Sequence, residues 1–239
     1  FSDIHQLQST TGHNEPNRKC FMNLRSALPL FPCMVFLNAI SFDPSTAQEV
    51  TSSSNPSEKA IATFAGGCFW CVESDFDRVP GVYRTISGYT GGTLANPSYK
   101  QVSSGGTGHL EAVQIFYDPN VISFEKLLDV FWHSVDPTDE HGQFCDRGES
   151  YITGIFANSS EQKRLAELSK LELAEAGKLE EPIVTLIKMA GPFYPAEDYH
   201  QDYYQKSPIR YELYRFRCGR DQRLRELWGK EAHQGITKE

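Results

Sequence analysis

The chain has little that would draw it to nucleic acid or to an anionic membrane. Its 23 Lys and Arg are outnumbered by 31 Asp and Glu, for a formal net charge of -8, and no long Lys/Arg run offsets that balance. A small molecule or a polypeptide is the better default substrate. Cysteine is sparse, six in 239 residues, which is too few for a disulfide scaffold in a chain of this length. No internal repeat is present. No second close-spaced ligand pair accompanies Cys68 and Cys71, as a structural zinc site would need, so no metal is expected. The Gly91-Gly92 and Gly105-Gly106 pairs lack the lysine and the strand-loop-helix context of a phosphate loop.

The amino-terminal residues have the order of a secretory signal. Met22 is a candidate start, Arg25 supplies a short basic region, and residues 27–40 form an apolar stretch too short to span a bilayer. Ser45-Thr46-Ala47 then offers small residues for cleavage before Gln48. The reading is a leader over 1–47, a Ser/Thr/Glu-rich linker over 48–59, one domain over 60–230 and a charged tail over 231–239. Export to a periplasm is expected, with a cytoplasmic location as the alternative and no membrane segment in the mature form. Cys20 and Cys33 would leave with the leader. Cys68, Cys71, Cys145 and Cys218 remain, a set suited to redox chemistry or a metal site.

Cys68-Phe69-Trp70-Cys71 is the most informative stretch. Gly66-Gly67 ends a strand-like run over 61–65, and an amphipathic segment over 72–79 follows. A thiol at that junction lies at a helix N-terminus, where unpaired N–H groups and the dipole favour a thiolate. An unperturbed thiol, of pKa about 8.5, is only about 3% ionised at pH 7, so a drop of about two units makes the nucleophile the major species.

Beyond Pro80-Gly81, residues 82–89 read as a strand and 91–108 as a glycine-rich loop with Tyr99 in its middle. Residues 111–117 alternate as a strand does, and Asp118-Pro119-Asn120 turns the chain. Ser123 caps a helix whose Phe124, Leu127, Leu128, Phe131 and Trp132 repeat at core-facing spacing. A polar loop over 136–150, a strand over 151–157, a helix opened by Ser159 and Gln162, and a strand over 183–188 follow. From Gly191 onward the chain is turn-rich and aromatic, with a late amphipathic segment at 224–228. Strands and helices interleaved without regular alternation indicate a two-layer α+β domain with a mixed sheet and a loop-rich C-terminal segment.

Six ordered blocks carry a specific resemblance: Gly66-Gly67-Cys68-Phe69-Trp70, Gly88-Tyr89-Thr90-Gly91-Gly92, Asn96-Pro97-Ser98-Tyr99, Gly108-His109-Leu110-Glu111-Ala112-Val113, Asp146-Arg147-Gly148-Glu149-Ser150-Tyr151, and the run from Phe193 to Gln201. From about Ala60 to Trp228 the chain resembles the A-type peptide methionine sulfoxide reductases. The resemblance implies a ferredoxin-like fold and thiol-dependent reduction of the S epimer of methionine sulfoxide, in proteins and as the free amino acid. It implies no bound cofactor and recycling by an external dithiol such as thioredoxin; a monomer is expected. By motif position Cys68 is the nucleophile and Glu111 the acid. Tyr99, Tyr151 and Asp146 surround the sulfoxide oxygen, and Phe69 and Trp70 wall the methyl group.

This chemistry needs a proton donor opposite the thiolate, since a sulfoxide sulfur becomes electrophilic as its oxygen is neutralised. A partly buried Glu111 near a developing thiolate is expected to stay protonated. A second thiol must then resolve the Cys68 sulfenic acid. Where the family often has Gly this chain has Cys71, the nearest candidate; Cys218, in a mobile-looking turn, is the rival, and Cys145 a third. Ile152-Thr153-Gly154 also departs from the commoner Arg-Ser-Ala. Two other readings stand beside this one: a thioredoxin-like thiol-disulfide exchanger built on the Cys-x-x-Cys turn, and a zinc module joining Cys68 and Cys71 to two of Cys145, Cys218, His109 and His141.

Overall fold

A computed structural model describes residues 59–237. The expected leader with Cys20 and Cys33, the linker up to residue 58 and the last two residues lie outside the described residues. The central strand β1 (Ala60–Gly66) is an apolar run whose Ala62, Phe64 and Ala65 are fully buried. It is followed by α1 (Phe69–Phe76), β2 (Val82–Thr90), the short α2 (Tyr99–Ser103), β3 (Leu110–Tyr117) and α3 (Phe124–Trp132). A two-stranded hairpin, β4 (Gly142–Gln143) with β5 (Asp146–Arg147), and a 3-10 turn at Glu149–Tyr151 lead to β6 (Thr153–Ala157) and α4 (Ser160–Glu175). Then come β7 (Leu186–Met189), β8 (Phe193–Pro195), α5 (Tyr203–Lys206), α6 (Pro208–Cys218) and α7 (Arg220–Trp228).

The main sheet runs β7-β6-β1-β3-β2-β8. Every pairing is antiparallel except β6 with β7. Phe64, pointing from the middle of β1, meets Phe76 of α1 at 5.5 Å and Phe131 of α3 at 4.9 Å, so the helical stripes foreseen in the sequence close one face of the sheet. Ser123 Oγ accepts from Lys126 N and Ser159 Oγ from Gln162 N, fixing the starts of α3 and α4.

The strand expected over 151–157 begins at Thr153, with Tyr151 closing the 3-10 turn, and the loop expected over 136–150 holds the β4–β5 hairpin. Three further expectations change. Tyr99 opens a helix instead of sitting in mid-loop, because Ser98 and Gln101 form a reciprocal capping box. The strand expected over 183–188 is Leu186–Met189, where parallel pairing with Gly154–Ala157 is available. The C-terminal segment, expected to be loop-rich, carries α6 and α7: Pro208 begins one, and Gly219, at φ 71, joins it to the next. Buried Tyr211, Arg215, Arg220, Leu224 and Trp228 hold this pair against the body. Among the described residues no helix is long and apolar enough to cross a membrane.

Candidate active site

The turn from β1 to α1 is set by Gly67, at φ +81, where a Cβ would stand 2.5 Å from Gln143 Cβ. Gln143 cannot step aside, since its amide accepts from Asp136 N at 2.9 Å and donates to Asp136 O at 2.7 Å. Cys68 follows as the N-cap residue of α1, with its carbonyl accepting from Cys71 N at 3.0 Å. Its side chain makes no capping bond. The free helix-end amide belongs to Phe69, and it donates to Glu111 Oε2 at 3.0 Å.

Glu111, near the start of β3, is only 2% exposed. Burial pushes its carboxyl up to about 8, with Asp146 and Cys71 adding in the same direction and the Phe69 amide and Tyr151 hydroxyl opposing. A neutral acid therefore sits at the helix end that carries Cys68. Tyr151 hydrogen-bonds to Glu111 and to Tyr99, and burial raises both phenols, which remain donors. Asp146 is raised as well, chiefly by burial, and accepts from the hydroxyl of Tyr214 on α6. It holds a tyrosine, but one the sequence reading did not name.

The thiols divide their proton in the opposite sense to the one expected. Cys68 is pushed up, first by burial and then by its hydrogen bond to Cys71 and the charges of Cys71, Glu111 and Asp146. Cys71 is pulled down, first by that same hydrogen bond from Cys68 and further by Arg220 and Arg215. Burial of the Cys68 thiol works first against the helix-end argument; Glu111 also occupies the first amide, and Arg220 and Arg215 favour charge on Cys71. Arg220, 1% exposed, donates to Gly66 O at 3.0 Å and Ser134 O at 2.7 Å, and Arg215 pairs with Asp75 at 2.8 Å. The Cys68 thiol is directed at Cys71, whose neighbours favour its charged form while burial and Asp75 oppose it.

Cys218 is not a free thiol in a mobile turn. It ends α6 and is disulfide-bonded to Cys145, so neither is available as a resolving thiol in this state, nor as a zinc ligand. Cys71 is the free partner beside Cys68. His109 is fully buried, with Nδ1 accepting from Gly92 N and Nε2 2.7 Å from Leu94 O, which makes it a pin for the glycine-rich loop. Phe69 is buried among Tyr89, Tyr99 and His200, while half-buried Trp70 reaches toward the surface. Trp70 stacks on Tyr203 at 3.8 Å, meets Tyr214 edge-on at 5.7 Å and donates through Nε1 to His200 Nδ1 at 3.1 Å. The sequence reading missed Tyr203, Tyr214, Arg215 and Arg220. Tyr211, Tyr214, Arg215 and Cys218 recur at helical spacing between Pro208 and Gly219, and that bracketed pattern was the available signal. A polar cavity of about 640 Å³ lined by Asp77, Arg84, Gln201 and Tyr204 contains none of these groups.

A family model described as peptide methionine sulfoxide reductase matches residues 60–232. The chain belongs to the peptide methionine sulfoxide reductase family. It is 54% identical over 174 residues to the peptide methionine sulfoxide reductase MsrA of Bacillus licheniformis, covering 73% of this chain and 96% of that one. To the enzyme MsrA/MsrB of Vibrio cholerae it is 45% identical over 205 residues, or 86% of this chain and 54% of the other. Among solved structures, methionine sulfoxide reductase A of Corynebacterium diphtheriae superposes with a TM-score of 0.58 at 32% identity, over 63% of this chain and 76% of that one. Reduced Mxr1 of Saccharomyces cerevisiae gives 0.58 at 34%, over 64% and 88%. Every motif block of this reductase falls inside the matched span, and the thioredoxin-like and zinc-module readings fall with that membership.

Proposed function

We infer that this chain reduces methionine (S)-sulfoxide, free and within proteins, to methionine. The observation that carries the reading is the neutral Glu111 carboxyl held at 3.0 Å by Phe69 N, on the helix end that Cys68 caps. Cys68 attacks the sulfoxide sulfur and passes its proton to the Cys71 thiolate, while Glu111 delivers a proton to the oxygen. Tyr99 and Tyr151 donate to the oxygen as charge grows there, donors of a kind that contribute a few kcal/mol in an enclosed site. Phe69 and Trp70 form the apolar side for the S-methyl group, and Asp146 holds Tyr214. The oxygen ends as the hydroxyl of a Cys68 sulfenic acid, and the thioether regains its lone pair. Cys71 then attacks Cys68, water leaves, and an external dithiol of thioredoxin type reopens the Cys68–Cys71 disulfide, becoming a disulfide itself.

The four strands β6-β1-β3-β2, all antiparallel and linked through α1 and α3, support a ferredoxin-like two-layer architecture for the 60–230 domain. Site residues drawn from a single chain support a working monomer. Export is proposed from the signal-like order of residues 22–47, and the Cys145–Cys218 disulfide supports an oxidising compartment. The test is a stereospecific assay with dithiothreitol on the two epimers, comparing wild type with Cys68→Ser. Turnover of the S epimer alone, lost in the variant, is expected. Equal turnover of both epimers, or activity that survives in Cys68→Ser, refutes the reading.

A further inference from the structure

The Cys145–Cys218 disulfide has no part in the chemistry above, yet it joins the two segments that carry Asp146 and Tyr214. Cys145 directly precedes Asp146 at the tip of the β4–β5 hairpin. Cys218 lies one helical turn after Tyr214, on the same side of α6. The two Cα atoms are 4.8 Å apart across a separation of 73 residues. Beneath them the Tyr214 hydroxyl donates to Asp146, and the Tyr214 ring meets Trp70 edge-on. The hairpin has two residues in each strand and a tip residue, Phe144, at φ 57. Gln143 is held by the Asp136 backbone and Arg147 by Asp139, so the base of the ribbon is anchored and its tip, Phe144 and Cys145, is the part the cross-link holds. The tip is also tied to the C-terminal helices by the Cys145 N–H, 3.3 Å from Cys218 Sγ, and by the Arg220 guanidinium, 4.7 Å over the Phe144 ring. Cys145 is exposed, whereas Cys68 and Cys71 are buried, so an external thiol or small disulfide reaches this pair first.

We propose that the Cys145–Cys218 bond is a redox latch on the active site: linked, it clamps Asp146 against Tyr214 and completes the polar wall over Cys68; open, it frees the hairpin tip and slows sulfoxide reduction. The latch closes by exchange with a small aliphatic disulfide. The Cys145 thiolate attacks one of its sulfurs, expels a thiolate and leaves a mixed disulfide; the Cys218 thiolate then attacks the Cys145 sulfur and expels the second. Two protein thiols lose two electrons, the small disulfide gains them, and two protons end on the expelled thiols. A dithiol runs the sequence backward. The latch rests on the reductase reading, because it gates that reaction.

Single-turnover release of methionine from a methionine (S)-sulfoxide peptide tests it, on the full chain poised at a series of ratios of reduced to oxidised dithiothreitol. Alkylation and mass spectrometry record which cysteines are paired at each ratio. The rate constant per free Cys68 thiol should fall about tenfold or more as Cys145–Cys218 opens. The double variant Cys145→Ser/Cys218→Ser should show the low rate throughout; if it fails to fold, the wild-type series decides alone. Tyr214→Phe, which keeps the ring, should narrow the gap between linked and open states, an outcome that a merely stabilising cross-link does not give. Equal rates in the two states overturn the latch. So does formation of the Cys145–Cys218 bond at the expense of one equivalent of sulfoxide, which would make the pair an electron carrier. No methionine release at any ratio sinks the reductase reading itself.

Discussion

Phe69 N–H and the Glu111 carboxyl meet at 3.0 Å although 42 residues separate them in sequence. The contact ties the N-terminus of α1 to β3 and brings the proposed acid and the proposed nucleophile to one point. It also consumes the amide that would otherwise have favoured a thiolate on Cys68. The surroundings therefore favour negative charge on Cys71 over Cys68, with Arg215 and Arg220 on the Cys71 side. Burial favours the protonated form of both Glu111 and Cys68, and in the proposed reaction the first proton goes to the sulfoxide oxygen and the second to Cys71.

Activity should fall as pH rises through about 8, where Glu111 loses its proton. Single-turnover methionine release against pH should show a one-proton descending limb. In Glu111→Gln that limb should vanish, and the rate should sit about 10²–10⁴-fold lower, as for loss of a general acid. Stability follows the same group: its folded pKa lies above the ordinary value, so the folded state holds the extra proton between about pH 4.5 and 8. Wild type should lose stability across that window as pH rises, and Glu111→Gln should lose less; Glu73, also raised to about 8 by burial, retains the remainder. Urea midpoints at pH 5 and pH 8.5 check this.

Cys71→Ser should leave the first turnover's products intact while stopping catalysis after one cycle. A trapped Cys68 sulfenic acid, identified by mass after reaction with a carbon nucleophile, is the expected species. Because Cys71 also receives the Cys68 proton, that first turnover should be slower than in wild type, by about tenfold or more. Sustained turnover with a dithiol at the wild-type rate would remove Cys71 from both roles.

The junction at Gly66-Gly67-Cys68 was legible because glycine punctuation, a strand-like run and a helical period meet there, and each is a local signal. Glu111 was legible from its motif, but its full burial was not, since Leu110, Glu111 and Ala112 are all buried where strand alternation would expose one face. The partition of charge between Cys68 and Cys71 was not, since it depends on Arg215 and Arg220, which reach α1 from far along the chain and only through packing. The aromatic C-terminal run hid α6 in the same way. Its apolar positions are few, and Tyr211, Arg215 and Arg220 are buried by pairing instead of by hydrophobicity. Nothing local announces that Cys145 and Cys218 meet.

Gly67→Ala should damage stability and activity together. The added Cβ would stand 2.5 Å from Gln143 Cβ at a backbone φ of +81, and Gln143 is held by the Asp136 backbone. Overpacking of this kind costs about 1–3 kcal/mol, and a displacement of Cys68 by about 1 Å can cost about 10²-fold in rate. Urea denaturation and kcat/KM on free methionine (S)-sulfoxide measure the two losses; an unchanged kcat/KM would show that the turn has room to adapt.

Arg220 should matter for both the fold and the resolving thiol. Its guanidinium, 1% exposed, donates to Gly66 O and Ser134 O and lies 3.8 Å through Nε from Asp75 Oδ2. Arg220→Gln would leave buried carbonyls unpaired and unbalance Asp75, a loss of about 3 kcal/mol or more. It would also remove one of the two cations that pull Cys71 down, so the Cys71 pKa should rise. Alkylation of Cys71 against pH in a Cys68→Ser background reads that rise directly. Arg220→Lys separates the two effects: it keeps the charge but not the fork that spans both carbonyls, so most of the stability loss should persist while the alkylation midpoint stays near that of the parent. Equal midpoints in the glutamine and lysine variants would mean that the charge beneath Cys71 comes from Arg215 alone.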